Sequence, residues 1–311
     1  MMALPINKIL CGDSLTELKK LPAESIDCVM TSPPYWALRD YGIEGQLGLE
    51  PTFEEYIKNL CDIFDEVKRV LKKSGTCWIN LGDTYSGNKE GKTDNIVSNY
   101  LKDTTKNIHK KVNGVSEKSL CNIPARFSIE MQNRGWILRN VIIWHKPNCI
   151  PSSVKDRFTV DFEYLFFFVK NKKYFFETQY EPVKEESLIR AEYKLNQTDY
   201  AWKAVNVQNL EKMGSRIVNP LGRNKRTVWS ICTQPFTEAH FAVYPEELCK
   251  TPIKAGCPES GIVLDIFSGA GTTALVALKN NRRFIGIELS PKYIEIAMNR
   301  LKPYLEQQKL E

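Results

Sequence analysis

The sequence predicts an α/β fold with a central, mostly parallel, twisted sheet and helices on both of its faces. Near the amino terminus, a strand, a short helix and a second strand follow one another within residues 7–31. Near the carboxyl terminus, residues 261–301 show the order strand, glycine turn, helix, strand and helix. Each of these βαβ units buries its apolar residues only when its strands lie parallel in a shared sheet.

The amino-terminal unit ends in a rigid turn. Its first strand, at residues 7–13, ends in Gly12 and Asp13, and the helix from Ser14 to about Lys20 follows. The apolar run 26–30 forms the second strand. Two prolines come directly after Thr31 and Ser32, and they fix the backbone and remove two amide donors. The turn at residues 31–35 therefore offers free carbonyl acceptors beside a hydroxyl and an aromatic ring.

A long amphipathic helix follows the loop at residues 36–50. Thr52 and Glu55 form a capping box, and apolar residues from Phe53 to Leu71 keep helical spacing. The basic pair at 72–73 and Gly75 are typical of a helix carboxyl end. We therefore expect the helix to stop there and a strand to occupy residues 76–81.

The middle of the chain alternates regular elements with polar segments. Residues 86–118 are mostly polar and include few apolar side chains, and this composition predicts a mobile surface loop. A helix is expected from Ile123 and Pro124 to about Gly135, and two strands at 136–144 and 159–169 are both expected to be buried. Residues 181–234 carry basic side chains among aromatic ones, which favours nucleic-acid binding and also fits an ordinary solvated face.

The carboxyl-terminal unit carries a cofactor pattern. Gly269-x-Gly271-x-x-Ala274 lies between two strands, and Glu288 follows seventeen residues after Gly271. This spacing fits the dinucleotide-binding fingerprint, in which the acid binds a ribose hydroxyl. S-adenosylmethionine fits equally well, because it also presents an adenosine ribose and needs close backbone approach at the turn. A tight turn without a ligand is the third interpretation.

Composition narrows the class of protein. The 311 residues are 42% hydrophobic and 26% charged, which is ordinary for a soluble globular chain. Lys and Arg exceed Asp and Glu by 43 − 37 = 6, which is compatible with a polyanionic partner. Nine cysteines without a CxxC pair, and only three histidines, predict neither disulfides nor zinc. The absence of a long apolar stretch predicts a cytoplasmic protein without a membrane anchor.

Several stretches resemble motifs of the DNA amino-methyltransferases. Residues 31–35, Thr-Ser-Pro-Pro-Tyr, resemble motif IV, and residues 265–273, Asp-Ile-Phe-Ser-Gly-Ala-Gly-Thr-Thr, resemble motif I, although Ile266 stands where the family commonly has Pro. Gly12-Asp13 resembles the motif before the catalytic strand, and residues 286–290 resemble motif II. Residues 140–147 and 157–169 resemble the motifs that build the target-base side, and residues 244–248 resemble the helix that enters motif X. The catalytic motif precedes the cofactor motif, as in the β group of that family.

The resemblance implies a Rossmann-like methyltransferase fold with a circularly permuted motif order. It divides the chain into a catalytic half at 1–180, a target-recognition region at 181–234 and a cofactor-binding half at 235–311. The strand at 262–267 would be central, with the Glu288 strand and then the first strand on one side and the Ser32 strand on the other. Both turns would then meet where the strand order reverses, which is where open α/β sheets bind ligands.

The resemblance also implies a reaction: site-specific methylation of an exocyclic amino group in double-stranded DNA, with S-adenosyl-L-methionine as the donor and the target base flipped out of the helix. The Ser32 hydroxyl and the Pro33 carbonyl would accept the amine hydrogens while Tyr35 stacks on the base. The predicted catalytic residues are Ser32, Pro33, Pro34 and Tyr35. The predicted cofactor-binding residues are Asp13, Thr31, Asp265, Phe267, Ser268, Gly269, Gly271, Thr272, Thr273, Glu288, Leu289 and Ser290, and no metal is expected.

Alternatives remain at this point. Within the resembled family, Ser at the position of Ser32 goes mostly with N4 of cytosine and Asp mostly with N6 of adenine, so cytosine is favoured and adenine is the alternative. C5-cytosine methylation is disfavoured because the sequence has no Pro-Cys dipeptide. A catalytically inactive DNA-binding protein and a nicotinamide-dependent oxidoreductase are two further alternatives. A cognate restriction endonuclease acting independently is compatible, as are a monomer and a homodimer.

Overall fold

The computed structural model describes residues 4–37, 42–87, 114–183, 219, 221–234 and 243–307. The chain divides into two compact units, one formed by Met1–Glu177 with Thr227–Glu311 and the other by Thr178–Arg226. Within the described ranges, no helix has both the length and the apolar character needed to cross a bilayer. Most of the predicted loop at 86–118 and of the predicted target-recognition region at 181–234 lies outside the described residues, so both assignments stay predictions.

The regular elements of the described residues are as follows. The strands are β1 Lys8–Cys11, β2 Ile26–Thr31, β3 Leu71–Leu81, β4 Ile137–His145, β5 Phe162–Val169, β6 Tyr180–Glu181, β7 Arg223–Asn224, β8 Val228–Ser230, β9 Ile262–Asp265 and β10 Arg283–Glu288. The helices are α1 Ser14–Lys20, α2 Phe53–Val70, α3 Ile123–Asn133, α4 Glu246–Gly256, α5 Thr272–Lys279 and α6 Pro291–Gln307.

An eight-stranded sheet forms the centre of the larger unit, in the order β1-β10-β9-β2-β3-β5-β4-β8. Only β5 runs against its neighbours β3 and β4, and the other neighbouring pairs are parallel. The predicted mostly parallel α/β sheet is therefore confirmed. The predicted order around the centre is confirmed as well, because β9 lies between β10 and β2, and β1 lies beside β10.

Helices cover both faces of this sheet. Successive residues of a strand point to opposite faces, and along β2 Val29 joins the cluster that contains side chains of α1, α2 and α3. Its neighbours Cys28 and Met30 join the cluster that contains side chains of α4, α5 and α6. Every residue of β2 is buried, as the apolar run in the sequence predicts.

The predicted cap of α2 at Thr52 is confirmed, the predicted end of α2 is wrong, and α1 has a cap at Asp13 that was not predicted. The Asp13 carboxylate accepts a hydrogen bond from the Thr16 amide (2.9 Å), and the Thr52 hydroxyl accepts one from the Glu55 amide (3.2 Å). However, α2 ends at Val70, and the chain passes directly into β3 through Leu71, whose backbone is already extended. No glycine cap is needed, because Leu71 pairs with Ile26 of β2 and continues into the sheet.

Burial of β4 is also less complete than predicted. Arg139, Asn140 and Val141 are exposed, whereas most of β5 is buried. The outer neighbour of β4 is β8, which has three residues and pairs only with the stretch from Ile143 onward. The first part of β4 is therefore a sheet edge, and a charged residue there blunts pairing with other chains.

The smaller unit contributes little regular structure to the described residues. β6 and β7 pair in antiparallel orientation. The Glu181 carboxylate accepts hydrogen bonds from Arg223 Nε (2.8 Å) and Arg226 Nε (2.6 Å). These ion pairs hold the two ends of the unit together.

Candidate active site

The Pro-Pro turn and the glycine turn are joined by a buried carboxylate. β2 and β9 are hydrogen-bonded neighbours, so their carboxyl ends at Thr31 and Asp265 lie side by side. The Thr31 hydroxyl donates to Asp265 Oδ1 (2.7 Å), and the Phe267 amide donates to the same oxygen (3.1 Å). The Tyr244 hydroxyl donates to Asp265 Oδ2 (3.0 Å). Asp265 thus fixes the start of one turn relative to the start of the other.

Burial governs the protonation of this carboxylate. Complete burial raises the pKa of the Asp265 carboxyl above its ordinary value, and the hydrogen bonds from Thr31, Thr273, the Phe267 amide and Tyr244 oppose that shift. Burial also raises the pKa of the Tyr244 hydroxyl well above its ordinary range, and the nearby Asp265 adds to the effect. Tyr244 therefore stays protonated at neutral pH and acts as a hydrogen-bond donor.

The glycine turn leads the chain from β9 into α5 and is held from β10. The two oxygens of the Glu288 carboxylate accept hydrogen bonds from the amides of Gly269 (2.8 Å) and Ser290 (2.9 Å). Gly269 and Gly271 have φ values of +50° and +74°, which favour glycine. Burial raises the pKa of the Glu288 carboxyl, and the backbone hydrogen bonds lower it. Each of its oxygens keeps a lone pair that a ribose hydroxyl could use.

The Pro-Pro turn is held in place from outside the site. The Tyr56 hydroxyl of α2 donates to the Pro34 carbonyl (2.8 Å). The ring of Tyr35 lies against the backbone of Gly82, where a Cβ would be only 2.6 Å from Cε2 of that ring. In the described part of the chain, no hydrogen bond reaches the Pro33 carbonyl. This carbonyl is therefore left as an acceptor, as the two prolines predict.

A polar network lies behind the turn. The Ser32 hydroxyl donates to Asn80 Oδ1 (3.3 Å), and the Tyr35 hydroxyl lies 2.6 Å from Glu163 Oε2 and 3.1 Å from Asn80 Oδ1. Asn80 Nδ2 donates to Glu163 Oε2 (3.0 Å) and to the Tyr164 carbonyl (3.1 Å), which fixes the orientation of the amide. The network thus connects β2, β3 and β5.

The far end of this network is an ion pair. Lys146 donates to Glu163 Oε1, and its ammonium also lies 4.7 Å from the ring centre of Trp144. Both partners of the pair are mostly buried, with side-chain exposures of 19% and 17%. Burial, and then the charge of Glu163, raise the pKa of Tyr35 well above its ordinary value. Tyr35 therefore remains a neutral donor to Glu163.

A cavity of about 840 Å³ opens between the two turns. It is lined by most of the predicted site residues, namely Asp13, Ser32, Pro33, Pro34, Tyr35, Phe267, Ser268, Gly269, Thr272, Glu288 and Leu289. The remaining predicted residues, Thr31, Asp265, Gly271, Thr273 and Ser290, lie behind this lining. They contact the residues that line the cavity or hold the backbone of the turns.

The two polar residues at the centre of the network, Asn80 and Glu163, were not predicted as site residues. Both line the cavity together with Lys146 and Trp144, and the sequence analysis assigned Glu163, Lys146 and Trp144 only to motifs. Each had a signal in the sequence: Asn80 interrupts the apolar strand 76–81, and Glu163 interrupts the aromatic strand 162–169. A polar residue inside a buried strand needs a partner, and here the two are partners of each other.

Comparison with known proteins identifies the family of this chain. Residues 26–299 match the model of a family described as DNA methylase, whose members methylate N6 or N4 amino groups. The chain belongs to this DNA methylase family. The match runs from β2 to α6 and so contains both turns and most of the residues that line the cavity, although Asp13 lies before it.

Individual relatives are similar to the chain over most of their own length. The chain is 39% identical to the type II methyltransferase M.Cfr9I of Citrobacter freundii over 298 residues, which is 94% of this chain and 86% of that protein. It is 38% identical to the type II methyltransferase M.SmaI of Serratia marcescens, over 94% of this chain and 90% of that protein.

Solved structures agree with the fold. The PvuII DNA methyltransferase, titled cytosine-N4-specific, matches with a TM-score of 0.63 at 20% identity, over 95% of this chain and 89% of that chain. TTHA0409, described as a DNA modification methylase of Thermus thermophilus and complexed with S-adenosyl-L-methionine, matches with a TM-score of 0.59 at 21% identity, over 96% of this chain and 94% of that chain. The predicted Rossmann-like methyltransferase fold is confirmed.

This DNA methylase is therefore an S-adenosylmethionine-dependent DNA methyltransferase. The nicotinamide-dependent alternative raised by the glycine pattern is set aside. Within the described residues, no group of His, Cys, Asp and Glu side chains is arranged to hold a metal ion.

The residues around the glycine turn fit this cofactor. The Ser268 hydroxyl is buried and, among the described residues, has no hydrogen-bond partner. A Cβ on Gly269 would meet no atom within 4 Å, so the backbone of the turn faces open space. Together with the spare lone pairs of Glu288, the turn offers unused polar groups beside an open cavity, as an adenosine-bearing ligand requires.

Proposed function

We propose that the DNA methylase transfers the methyl group to the N4 amino group of cytosine in a specific sequence of double-stranded DNA, with the target base flipped into the cavity. The observation that carries this proposal is the geometry of Ser32. Its hydroxyl donates its hydrogen to Asn80, which leaves the lone pairs of the oxygen as acceptors, and Ser32 is one of the residues that line the cavity. The choice of cytosine is supported by the residue type, because Ser at this position goes mostly with cytosine in the resembled family.

The turn would act on the amine by holding both of its hydrogens. The Ser32 hydroxyl and the Pro33 carbonyl are two acceptors on adjacent residues, and both residues line the cavity. When both amine hydrogens are held, the nitrogen lone pair is drawn out of conjugation with the ring and becomes a better nucleophile. Tyr35 would stack on the base, with its ring kept in place by Gly82 and its hydroxyl by Glu163.

The glycine turn would hold the cofactor, which supplies a methyl group on a positively charged sulfur that is a good leaving group. In this proposal Glu288 binds the ribose hydroxyls, and Asp13 lies at the adenine side of the cavity. Phe267, Ser268 and Gly269 surround the methionine part. Asp265 and Thr31 position both turns so that the amine and the cofactor meet, and they do not contact the reacting atoms.

Glu163 is a positioning residue in this proposal, and Glu163→Gln tests the role. The substitution keeps the shape of the side chain but removes its negative charge, and Tyr35, Asn80 and Lys146 all donate hydrogen bonds to that charged carboxylate. Hydrogen bonds to a charged group contribute about 1.5–3 kcal/mol. We therefore expect kcat to fall by roughly tenfold or more, while the dissociation constant for S-adenosylmethionine stays unchanged.

The double variant E163Q/K146M separates positioning from stability. Glu163→Gln alone leaves the Lys146 ammonium without its partner in a mostly buried place, which lowers the melting temperature. Removing both charges should restore the melting temperature but not kcat, because Tyr35 and Asn80 still lack the carboxylate. If kcat recovers together with the melting temperature, Glu163 has only a structural role.

One experiment tests the proposed function as a whole. The chain is expressed in a host without DNA methylation, and the host DNA is sequenced with detection of modified bases. We expect N4-methylcytosine at one short sequence and nowhere else. N6-methyladenine at such a sequence would show that adenine, and not cytosine, is the target base. Unmodified DNA would favour the alternative of a catalytically inactive DNA-binding protein.

The methylated host DNA also tests whether the enzyme protects DNA against a restriction endonuclease. The type II methyltransferases M.Cfr9I and M.SmaI are relatives over most of their length, which supports a modification enzyme that works beside an independent restriction endonuclease. The methylated host DNA should then resist an endonuclease that cuts at the mapped sequence. Complete cleavage of fully methylated DNA would contradict this role.

A further inference from the structure

The segment that joins β4 to β5 is unusually exposed for its composition. Every residue from position 150 to position 160 is exposed, and we call this stretch the rim segment. Its four large apolar side chains are Ile150 (89% exposed), Val154 (39%), Phe158 (96%) and Val160 (50%). Four large exposed apolar side chains within eleven residues are more than a surface that binds nothing usually carries.

The rim segment is continuous with the active-site cavity. Ile150 and Val160, at its two ends, line the cavity together with Ser32 and Tyr35. The base of the segment is closed by the Lys146 amide, which donates to the Asp161 carbonyl (2.7 Å). The same Lys146 holds Glu163 through its side chain. Because Ile150 and Val160 are exposed and also line the cavity, the rim segment borders the cavity on its solvent side.

Side-chain contacts anchor the middle of the rim segment. Lys118 Nζ lies 2.8 Å from Asp156 Oδ2, and the Arg157 guanidinium lies 3.5 Å from the ring centre of Tyr85. These contacts hold the backbone between Val154 and Phe158 while the apolar side chains remain exposed. A held segment loses less conformational entropy on binding than a free loop does.

The polar groups of the rim segment suit a polyanion. The one acid, Asp156, is paired with Lys118, whereas Lys155 and Arg157 add two positive charges. Ser152, Ser153 and Thr159 add exposed hydroxyls. Lys, Arg and hydroxyl side chains are the usual partners of DNA phosphates, and apolar side chains are the usual wedges between base pairs.

We propose that the rim segment enters duplex DNA at the target site, with Phe158 inserted as a wedge where the target base leaves the stack and with Lys155 and Arg157 on the flanking phosphates. This proposal rests on the proposed function, because it names how the duplex reaches the same cavity. An apolar ring in the vacated space replaces part of the lost stacking and so favours the flipped state of the base.

The test compares two duplexes that carry the methylation site mapped above. One is fully paired, and in the other the target base faces an abasic position, so the cost of unpairing is already met. We expect Phe158→Ala to raise the dissociation constant for the paired duplex by about tenfold, as burial of an aromatic ring suggests. The increase for the abasic duplex should be about twofold or less.

Three variants serve as controls. Phe158→Leu should restore most of the affinity, because it restores apolar bulk. Ile129→Ala removes another exposed apolar side chain, from α3 outside the cavity lining, and should change neither constant. Lys155→Ala should weaken the binding of both duplexes equally and reduce the salt dependence of binding, as expected for a phosphate contact.

The outcomes are distinct from those of the proposed function. If wild-type protein methylates the mapped site but Phe158→Ala binds both duplexes like wild type, the wedge is wrong and the methyltransferase function stands. Equal loss on both duplexes would also contradict the wedge. Shielding of the Phe158→Trp indole from a soluble quencher in the DNA-free protein would overturn the proposal as well, because the chain itself would then cover the rim segment.

Discussion

Replacing Ser32 by alanine is expected to lower kcat by about 10²- to 10³-fold, which is the effect of removing one hydrogen-bonding group aimed at a reacting atom. The amine then keeps only one acceptor, the Pro33 carbonyl, and its lone pair stays conjugated with the base. The dissociation constant for S-adenosylmethionine should stay within about twofold of wild type, since the Ser32 side chain bonds Asn80 and not the glycine turn. Single-turnover methylation and cofactor titration measure the two effects separately.

Ser25 offers a matched control for this substitution. Its hydroxyl also makes one hydrogen bond, to the Pro22 carbonyl (2.7 Å), but it lies at the other end of β2 and outside the cavity lining. Ser25→Ala should therefore leave both kcat and cofactor affinity unchanged. A parallel loss of cofactor affinity in Ser32→Ala would mean that Ser32 maintains the shape of the whole cavity and does not hold the amine.

Gly271→Val is expected to destabilise the fold, whereas Gly269→Ala is expected to weaken cofactor binding. Gly271 has a φ of +74°, and a Cβ there would lie 2.9 Å from Cβ of Ala297 in α6. Backbone strain and overpacking each cost about 1–3 kcal/mol. The melting temperature of Gly271→Val should therefore fall by on the order of 10 °C, measured by thermal unfolding without cofactor.

Gly269 provides the contrasting substitution within the same turn. A Cβ at Gly269 would meet no atom of the protein within 4 Å and would stand beside the cavity. Gly269→Ala should lower cofactor affinity by about tenfold with only the small loss of stability that a φ of +50° imposes on alanine. Unchanged cofactor affinity in Gly269→Ala, with a normal melting temperature, would place the cofactor away from this turn.

These two glycines show where the sequence pattern is ambiguous. The fingerprint attributes both residues to close approach of the cofactor. In the structure Gly271 is the N-cap of α5 and lies against α6, whereas a Cβ on Gly269 would stand in open space. A glycine needed for helix packing and a glycine needed for a ligand have the same letter, and only the neighbouring atoms distinguish them.

Most strands and helices of the larger unit, and their order along the chain, could be predicted because local patterns encode them. The fully apolar run of β2 predicts a strand that is buried on both faces. Thr52 with Glu55 predicts the start of α2, and Gly269 with Glu288 predicts a turn and an acid at adjacent strand ends. The end of α2 could not be predicted, because Leu71 leaves the helix to pair with Ile26 of β2, which is a tertiary contact.

The sequence by itself determined that this chain has a mostly parallel α/β sheet, a stiff Pro-Pro turn and a glycine turn at the ends of its strands. It also determined which residue types those turns present, because turn geometry depends on the local backbone. Only the tertiary structure decided that Asp265 joins the two turns, that Asn80 and Glu163 hold Ser32 and Tyr35, and that Ile150 and Val160, the two ends of the rim segment, line the cavity. These contacts join residues far apart in the chain, and such pairs are specified by the packing of the whole sheet and not by any local pattern.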